Sequence, residues 1–423
     1  MIIRCRLGSL FLLFFSLCFS HAQPPGYLLQ PDFVFDGKEM HKGWWVYVKG
    51  PYVLGIGPPD QIPIPPEVEI LYLENITVLP GLIEGHSHFL LHPYDEMPWD
   101  DQVLKESEAY RVALATQHAS ATLNAGVTTV RDLGTEGAGY ADVGLKKAIA
   151  EGKIPGPNMI VTTRAIVASG SYGPKGFSTD FDFPIGAEVA DGEAELIRVV
   201  RDQIGKGADW IKVYADYRWG PNGEARPTFL QEELETIVKV AESSGRKVAA
   251  HAASAEGMRR AILAGVHTIE HGDGGTPEVF SLMRQQGVAL CPTLSATEAI
   301  MQYRGWKKGI DPDPERVQNK RRSFDLARKA GVSICFGSDV GVFPHGENYR
   351  ELELMVEYGM TPEEALKTAT SGNAELFELE SYGSIAIGKV ADLVGVEGNP
   401  TKDITAMRGV KFVMKRGKVI RKP

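Results

Sequence analysis

Cysteine is scarce in this 423-residue chain: there are four, and Cys5 and Cys18 fall in an N-terminal apolar segment. That excludes a disulfide-framed scaffold, and Cys291 and Cys335, each inside an apolar strand-like run, read as buried free thiols. Long blocks of lysine or arginine are absent as well. With a formal charge of −9 and a sequence pI near 5.7, nucleic acid and anionic membrane surfaces are poor partners. No Gly-x-Gly-x-x-Gly turn follows the first strand of the central region, which argues against a doubly wound dinucleotide-binding sheet. What remains is the composition of a globular protein, 43% hydrophobic and 23% charged, long enough for one large domain and a small one.

Residues 1–22 read as a secretory signal peptide. Arg4 and Arg6 precede the apolar stretch Leu7–Phe19, and Ser20-His21-Ala22 offers a small-x-small cleavage site before Gln23. The stretch is too short for a membrane anchor. Lipid modification at Cys18 is the alternative, disfavoured by Leu17 in front of it. Cleavage removes two positive charges, taking the formal charge from −9 to −11. The expected location is exported, periplasmic or secreted, with no membrane attachment after cleavage near Ala22. Asn75-Ile76-Thr77 fits a glycosylation sequon, meaningful only in a eukaryotic secretory pathway.

From Tyr27 to about Leu79 short apolar runs such as Trp44–Val48 and Tyr52–Ile56 alternate with turns rich in Gly, Pro and Asp. The end of the chain repeats that texture in Gly383–Lys389, Ala391–Val396, Gly409–Met414 and Lys418–Ile420. Two β-rich ends around one middle predict a small composite β-sandwich domain, residues 23–79 with 379–423. Between them strand-like runs end near His88, Leu133, Ile166, Tyr214, His251, His271, Leu294 and Asp339. Helical stretches such as Gln231–Ser244, Ala255–Ala264 and Val317–Ala330 intervene. Ala125-Gly126-Val127, Ala264-Gly265-Val266 and Ala330-Gly331-Val332 place glycine where a helix ends left-handed. Eight strand–helix units predict a (β/α)8 barrel over residues 80–378.

Reactive groups of such a barrel sit at the C-terminal ends of its strands. His86 and His88, in Gly81-Leu82-Ile83-Glu84-Gly85-His86-Ser87-His88, are two residues apart and leave a strand on one face. Imidazole is the commonest metal ligand, so the pair is a candidate half-site, though His-x-His alone is weakly specific. Lys212, His251, His271 and Asp339 fall on the fourth, fifth, sixth and eighth strands. His41, His92, His118 and His267 read as structural, and Asp132 as a carboxylate that orders a loop.

These positions resemble the amidohydrolase superfamily. More narrowly, the chain is similar to its exported, two-metal, peptidase-like branch, relatives of Xaa-Pro and Xaa-Arg dipeptidases and of imidazolonepropionase-like amidohydrolases. The resemblance runs through Val78-Leu79-Pro80-Gly81 into His86-x-His88, Ala255-Glu256-Gly257-Met258, Ile269-Glu270-His271-Gly272, Gly337-Ser338-Asp339, Gly346-Glu347-Asn348 and Met360-Thr361-Pro362-Glu363. It implies that His86, His88 and Asp339 hold one divalent ion and His251 and His271 the other. It also implies that Lys212 takes up CO2 and bridges the two as N6-carboxylysine. An ammonium has no acceptor, but a buried lysine loses its proton readily and can then form a carbamate. Zinc is the default for such ligands, with manganese, cobalt or iron as substitutes. Asp339 would be the catalytic proton carrier of a hydrolysis at an amide or related carbonyl carbon.

Tyr214, two residues past Lys212, faces the same cavity and could donate to a substrate oxygen. Arg218 could grip a carboxylate, and His345 rims the pocket with Glu347 and Asn348. The relatives' His-Ala-His-Gly after the fifth strand is His251-Ala252-Ala253-Ser254 here, a departure that touches specificity and leaves the ligand in place. The expected activity is that of a dipeptidase or N-acyl amino acid hydrolase acting on a small-molecule substrate, on a chain compatible with a homo-oligomer. A one-metal ring hydrolase or deaminase of the same superfamily is the alternative, which Lys212 opposes. A non-catalytic binding protein on the same scaffold is a third reading, which the full ligand set opposes.

Overall fold

The computed structural model describes residues 26–178 and 180–423, so the leader and its cysteines lie outside the described residues. Both ends of the described chain enter one eight-stranded sheet. Its order is Lys418–Arg421, Val410–Lys415, Leu393–Glu397, Val68–Pro80, Gly26–Phe35, Trp45–Lys49 and Tyr52–Gly57, with Met40–Lys42 beside Gly26–Phe35. The two ends meet where Leu393–Glu397 runs antiparallel to Val68–Pro80, from Leu393 opposite Pro80 to Glu397 opposite Ile76. Val46, Val48 and Val53 from one side and Phe412 and Met414 from the other share one buried cluster with Leu29, Val78 and Leu393. The strands expected to form a sandwich make one eight-stranded sheet among the described residues. Gly383–Lys389, expected as a strand, is a turn segment: Gly383 and Gly388 have φ of 73° and 86°, which strands do not adopt. A Cβ on Gly383 would stand 2.4 Å from the Ala374 Cβ, so both backbone and packing require glycine there.

The middle is α/β with parallel strands in two sheets. Leu82–Ser87, Val127–Asp132 and Asn158–Val161 form one. Glu188–Val189, Ile166–Val167, Trp210–Tyr214, Lys247–Ala252, Thr268–His271 and Ala289–Cys291 form the other. The third expected strand is split at Thr162–Ala165, one half in each sheet, and Asp209 donates its N–H to the Val161 carbonyl across that seam at 2.8 Å. On the other side Ser333–Val340 bridges the two sheets. Leu290 pairs with Ile334 and Ser87 with Val340, and the N–H groups of Gly85 and Asp339 reach the carbonyls of Phe336 and His86. The eighth expected strand is thus a bridging segment with isolated pairings. Gly337 explains part of the irregularity, since a Cβ there would lie 2.9 Å from the Cys291 Sγ and 3.0 Å from the His86 Cβ.

Helices pack on these strands as the apolar spacing requires. Gln231–Glu242 buries Leu234, Ile237, Val238 and Ala241, and Ala255–Ala264 buries Met258, Ala261 and Ile262. Each large side chain so buried contributes about 1.5–3 kcal/mol. Ser254 caps the second helix through the Gly257 N–H, and Glu315–Ala330 begins two residues before the expected Val317. Cys291 and Cys335, expected as free thiols, are joined in a disulfide. The pairing Leu290–Ile334 makes them neighbours on adjacent chain segments.

Gly126, Gly265 and Gly331 have φ of 86°, 92° and 73°, so the Ala-Gly-Val turns are left-handed as expected. At Gly331 a Cβ has room, its nearest neighbours being Arg284 side-chain atoms at 3.5 Å. Gly331→Ala should therefore cost only the backbone term, about 1 kcal/mol. Gly331→Asn should recover part of it, because asparagine tolerates this region. Denaturant unfolding of the three proteins tests the order.

Candidate metal centre

His86 and His88 emerge from Leu82–Ser87 onto the same side and meet Asp339 from the bridging segment. Asp339 Oδ1 lies 3.5 Å from His86 Nε2 and 3.3 Å from His88 Nε2, and the two Nε2 atoms are 3.3 Å apart. The other nitrogen of each ring is already committed. His86 Nδ1 donates to Glu270 Oε2 at 2.7 Å, and His88 Nδ1 donates to the Gly134 carbonyl at 3.0 Å. Both rings are fixed with Nε2 toward the carboxylate, the second contact by which metal-ligating imidazoles are oriented. Burial opposes protonation of His88, but the adjacent Asp339 carboxylate overrides it and lifts the ring to about 9. Two nitrogens and a carboxylate oxygen with this convergence fit a divalent metal ion. Asp339 holds its place in a left-handed backbone conformation, φ 62°.

His251 and His271 stand beside this group. Their ring centroids are 4.4 Å apart, and the His271 ring is 5.2 Å from that of His86. His271 is also left-handed, with φ 75°; its Nδ1 lies 2.8 Å from the Thr293 hydroxyl, and its carbonyl accepts from Lys320 Nζ. Burial holds both imidazoles neutral by pushing their pKa values well below the ordinary range. Lys212, on the adjacent strand Trp210–Tyr214, is 1% exposed, and its side-chain amine forms no hydrogen bond or ion pair with any described residue. Burial lowers its ammonium to about 8, against the attraction of Glu270 and Asp339. The structure thus brings His86, His88 and Asp339 together, sets His251 and His271 beside them, and carries Lys212 on the strand that pairs with that of His251.

A buried ionic layer supports them that spacing alone did not single out. Arg131, wholly buried, donates to Glu270 Oε1 at 2.9 Å, to the Thr268 hydroxyl at 3.0 Å and to the Gly85 carbonyl at 2.8 Å. Burial would raise the Glu270 acid, but Arg131 and His86 hold it far below the usual carboxylate range. Glu84 accepts from the N–H groups of His86 and Ser338, the Ser338 hydroxyl and Asn348 Nδ2, while burial lifts its pKa to about 7. Asn348 therefore ties the loop after Asp339 to the first strand. Asp132 takes the Phe89 N–H at 2.7 Å and orders that loop, as expected. The signal for Glu84, Arg131 and Glu270 was there to see: each is a charge inside a short strand-like run.

The expected substrate residues divide. The Tyr214 ring stacks on His251 at 4.5 Å, but its hydroxyl donates to Glu136 Oε1 at 3.4 Å. Arg218 is exposed, with Nη2 3.3 Å from the Tyr217 hydroxyl. His345 stacks on His118, centroids 4.2 Å apart, and its Nε2 donates to the Leu91 carbonyl. One further group stands beside the centre: Glu136 is 3% exposed in a wall of Trp99, Tyr172 and Tyr214.

Residues 77–420 match the model of the Amidohydrolase family. Ochratoxinase of Aspergillus niger is 32% identical over 390 residues, covering 82% of this chain and 76% of its own. Its solved structure superposes with a TM-score of 0.80, covering 94% of this chain and 96% of that one. A Xaa-Pro dipeptidase with methionine in its active site is 33% identical, with a TM-score of 0.81 over 94% of this chain and 100% of the other. A prolidase solved with N-methylphosphonate-L-proline is 27% identical, with a TM-score of 0.80 and the same two coverages.

Arg131→Met should cost about 3–5 kcal/mol, because it leaves Glu270 charged and buried without its partner. Arg131→Met combined with Glu270→Leu should be less damaging than the single change, and a denaturation cycle over the four proteins measures the coupling.

Proposed function

The chain belongs to the amidohydrolase family, and within it we propose a two-metal hydrolase of amide bonds, a dipeptidase or N-acyl amino acid hydrolase. The observation that carries the metal-dependent reading is the convergence of His86 Nε2, His88 Nε2 and Asp339 Oδ1, with both Nδ1 atoms committed elsewhere, and the second ion rests on the His251 and His271 rings that stand beside it. His86, His88 and Asp339 would hold one ion and His251 and His271 the second. Lys212 would bridge them as a carbamate: its neutral amine adds CO2, forms the N–C bond and loses a proton to solvent. When bound, the ions polarise the substrate carbonyl and make a hydroxide available at neutral pH. Asp339 takes the proton of the attacking water on its carboxylate and delivers it to the leaving amine. Arg218 offers its fork to the free carboxylate of the substrate, and Tyr214 walls the acyl side. The likeness to a Xaa-Pro dipeptidase, a prolidase and ochratoxinase favours amide bonds next to an amino acid carboxylate. We further read the parallel strands as a (β/α)8 barrel over residues 80–378, with residues 23–79 and 379–423 as the composite β domain. Residues 1–22 are read as a cleaved signal peptide that sends the protein to the periplasm or outside the cell.

A one-ion centre is the second reading. It is favoured by a single observation: among the described residues only His86, His88 and Asp339 form a group of three donors within 4.8 Å of one another.

Protein purified without chelators should carry two divalent ions per chain by elemental analysis; one ion per chain supports the second reading. Chelation should abolish hydrolysis of dipeptides and N-acyl amino acids, and metal should restore it. Asp339→Asn should lower kcat by roughly 10²–10⁴-fold with the fold intact by circular dichroism. Intact-mass measurement under mild conditions should find one added CO2 on the chain, lost in Lys212→Ala.

A further inference from the structure

We propose that Glu136 binds the free α-ammonium group of the substrate, which makes the substrate class a peptide with an unblocked amino end rather than an N-acyl amino acid. This rests on the amide-hydrolase reading above and chooses between its two substrate classes.

The Glu136 side chain is buried next to the centre, yet forms no ion pair with any described residue. Oε2 accepts from Trp99 Nε1 at 2.9 Å and from the Tyr172 hydroxyl at 2.7 Å, while Oε1 has only the long contact of 3.4 Å from the Tyr214 hydroxyl. These neutral donors hold the carboxylate in place without cancelling its charge. Arg111, the nearby buried guanidinium, spends its nitrogens on the carbonyls of Leu90, Thr135 and Glu136. Glu136 also keeps a left-handed backbone, φ 48°, which an L side chain adopts only when its surroundings insist. A carboxylate buried at this cost, held by three donors and lacking a cation, is a prepared site for one.

Position identifies the cation. A Cβ placed on Gly134 would lie 3.2 Å from Glu136 Oε1 and 3.8 Å from His88 Cε1, so that oxygen and the His88 ring border the same spot. The same oxygen is the one the Tyr214 hydroxyl reaches, and the Tyr214 ring stacks on His251. Glu136 therefore flanks the centre, with Oε1 bordering both the His88 ring and Tyr214. In a peptide the α-ammonium nitrogen is only two bonds from the carbonyl carbon under attack, so its receptor must stand against the centre. An ammonium brings three donors to an acceptor with lone pairs to spare. The rings of Tyr172, Tyr214 and Tyr217, with centroids 4.7–5.8 Å apart, add faces that favour a cation. An N-acyl group would place an uncharged amide against the same carboxylate and leave it unpaired.

The test compares dipeptides with their N-acetyl derivatives, both as substrates of the metal-loaded enzyme and as ligands of the metal-free protein by calorimetry. Wild-type protein should favour the free amine roughly 30-fold or more in kcat/KM and in Kd. Glu136→Gln should remove most of that preference by raising KM and Kd for the free amine, with kcat and metal content little changed, and Glu136→Asp should fall between. Equal handling of the two series by the wild type, a preference that survives Glu136→Gln, or loss of a metal ion in that variant would overturn the proposal. The wild-type comparison needs no variant to fold. Hydrolysis without amine preference defeats this inference and spares the hydrolase reading. Amine-dependent binding without hydrolysis of any amide does the reverse.

Discussion

The chain of contacts from Arg131 through Glu270 to His86 is the constraint on which the centre depends. Glu270 lies on Thr268–His271 and Arg131 on Val127–Asp132, so the pair crosses the interior between the two parallel sheets. Neither charge reaches water. Each is tolerable only because the other is present and because Thr268 and Gly85 satisfy the remaining guanidinium donors. One Glu270 oxygen serves Arg131 and the other serves His86, so the ion pair that spans the interior also sets which nitrogen of His86 faces Asp339. Thr268 reinforces this by donating its hydroxyl to the same Glu270 oxygen at 2.5 Å. Stability and ligand orientation are here the same set of hydrogen bonds.

Strain marks the other side of that bargain. Asp339, His271, Thr293 and Glu136 all lie in the left-handed region although none is glycine, and all stand at or beside strand ends around the centre. Left-handed non-glycine residues cost about 1–3 kcal/mol each, so their clustering is not the relaxed preference of the chain. Each is held by a named contact: the His86 carbonyl for the Asp339 N–H, Thr293 for the His271 ring, three aromatic donors for Glu136. The ordinary turn positions on the opposite ends of the strands, such as Gly265 and Gly331, use glycine and need no such support.

Much of this was legible in the chain. Apolar runs ending in His86, His251 and His271 located strand ends because a parallel strand buried on both faces has few polar residues to spare. The Ala-Gly-Val turns located helix ends because left-handed closure selects glycine. Three features escaped for physical reasons. Gly383–Lys389 reads as a strand by composition, but the contacts that forbid it, Ala374 and Thr370, lie elsewhere in the fold. The Cys291–Cys335 bond depends on which strands are neighbours, and spacing along a sequence does not say so. Glu136 gives no periodic signal, being a loop residue whose role comes from Trp99, Tyr172 and Tyr214, three separate segments.

Buried acids outnumber buried bases around the centre. Glu84, Asp132, Glu136, Glu270 and Asp339 are all buried or nearly so, against Arg111, Arg131 and Lys212. Arg131 is committed to Glu270, and Arg111 to main-chain carbonyls. Burial trims the excess by pushing Glu84 and Asp132 up to about 7 and about 6, but it works the other way at Lys212, which it lowers to about 8. Asp339 escapes that fate, its carboxyl held below the ordinary range by His86 and His88 despite burial. Asp339 therefore stays an ionised carboxylate at the point where the His86 and His88 rings converge. Positive charge brought from outside is therefore most strongly attracted at that point and at its flank beside Glu136, where substrate and ions would have to meet.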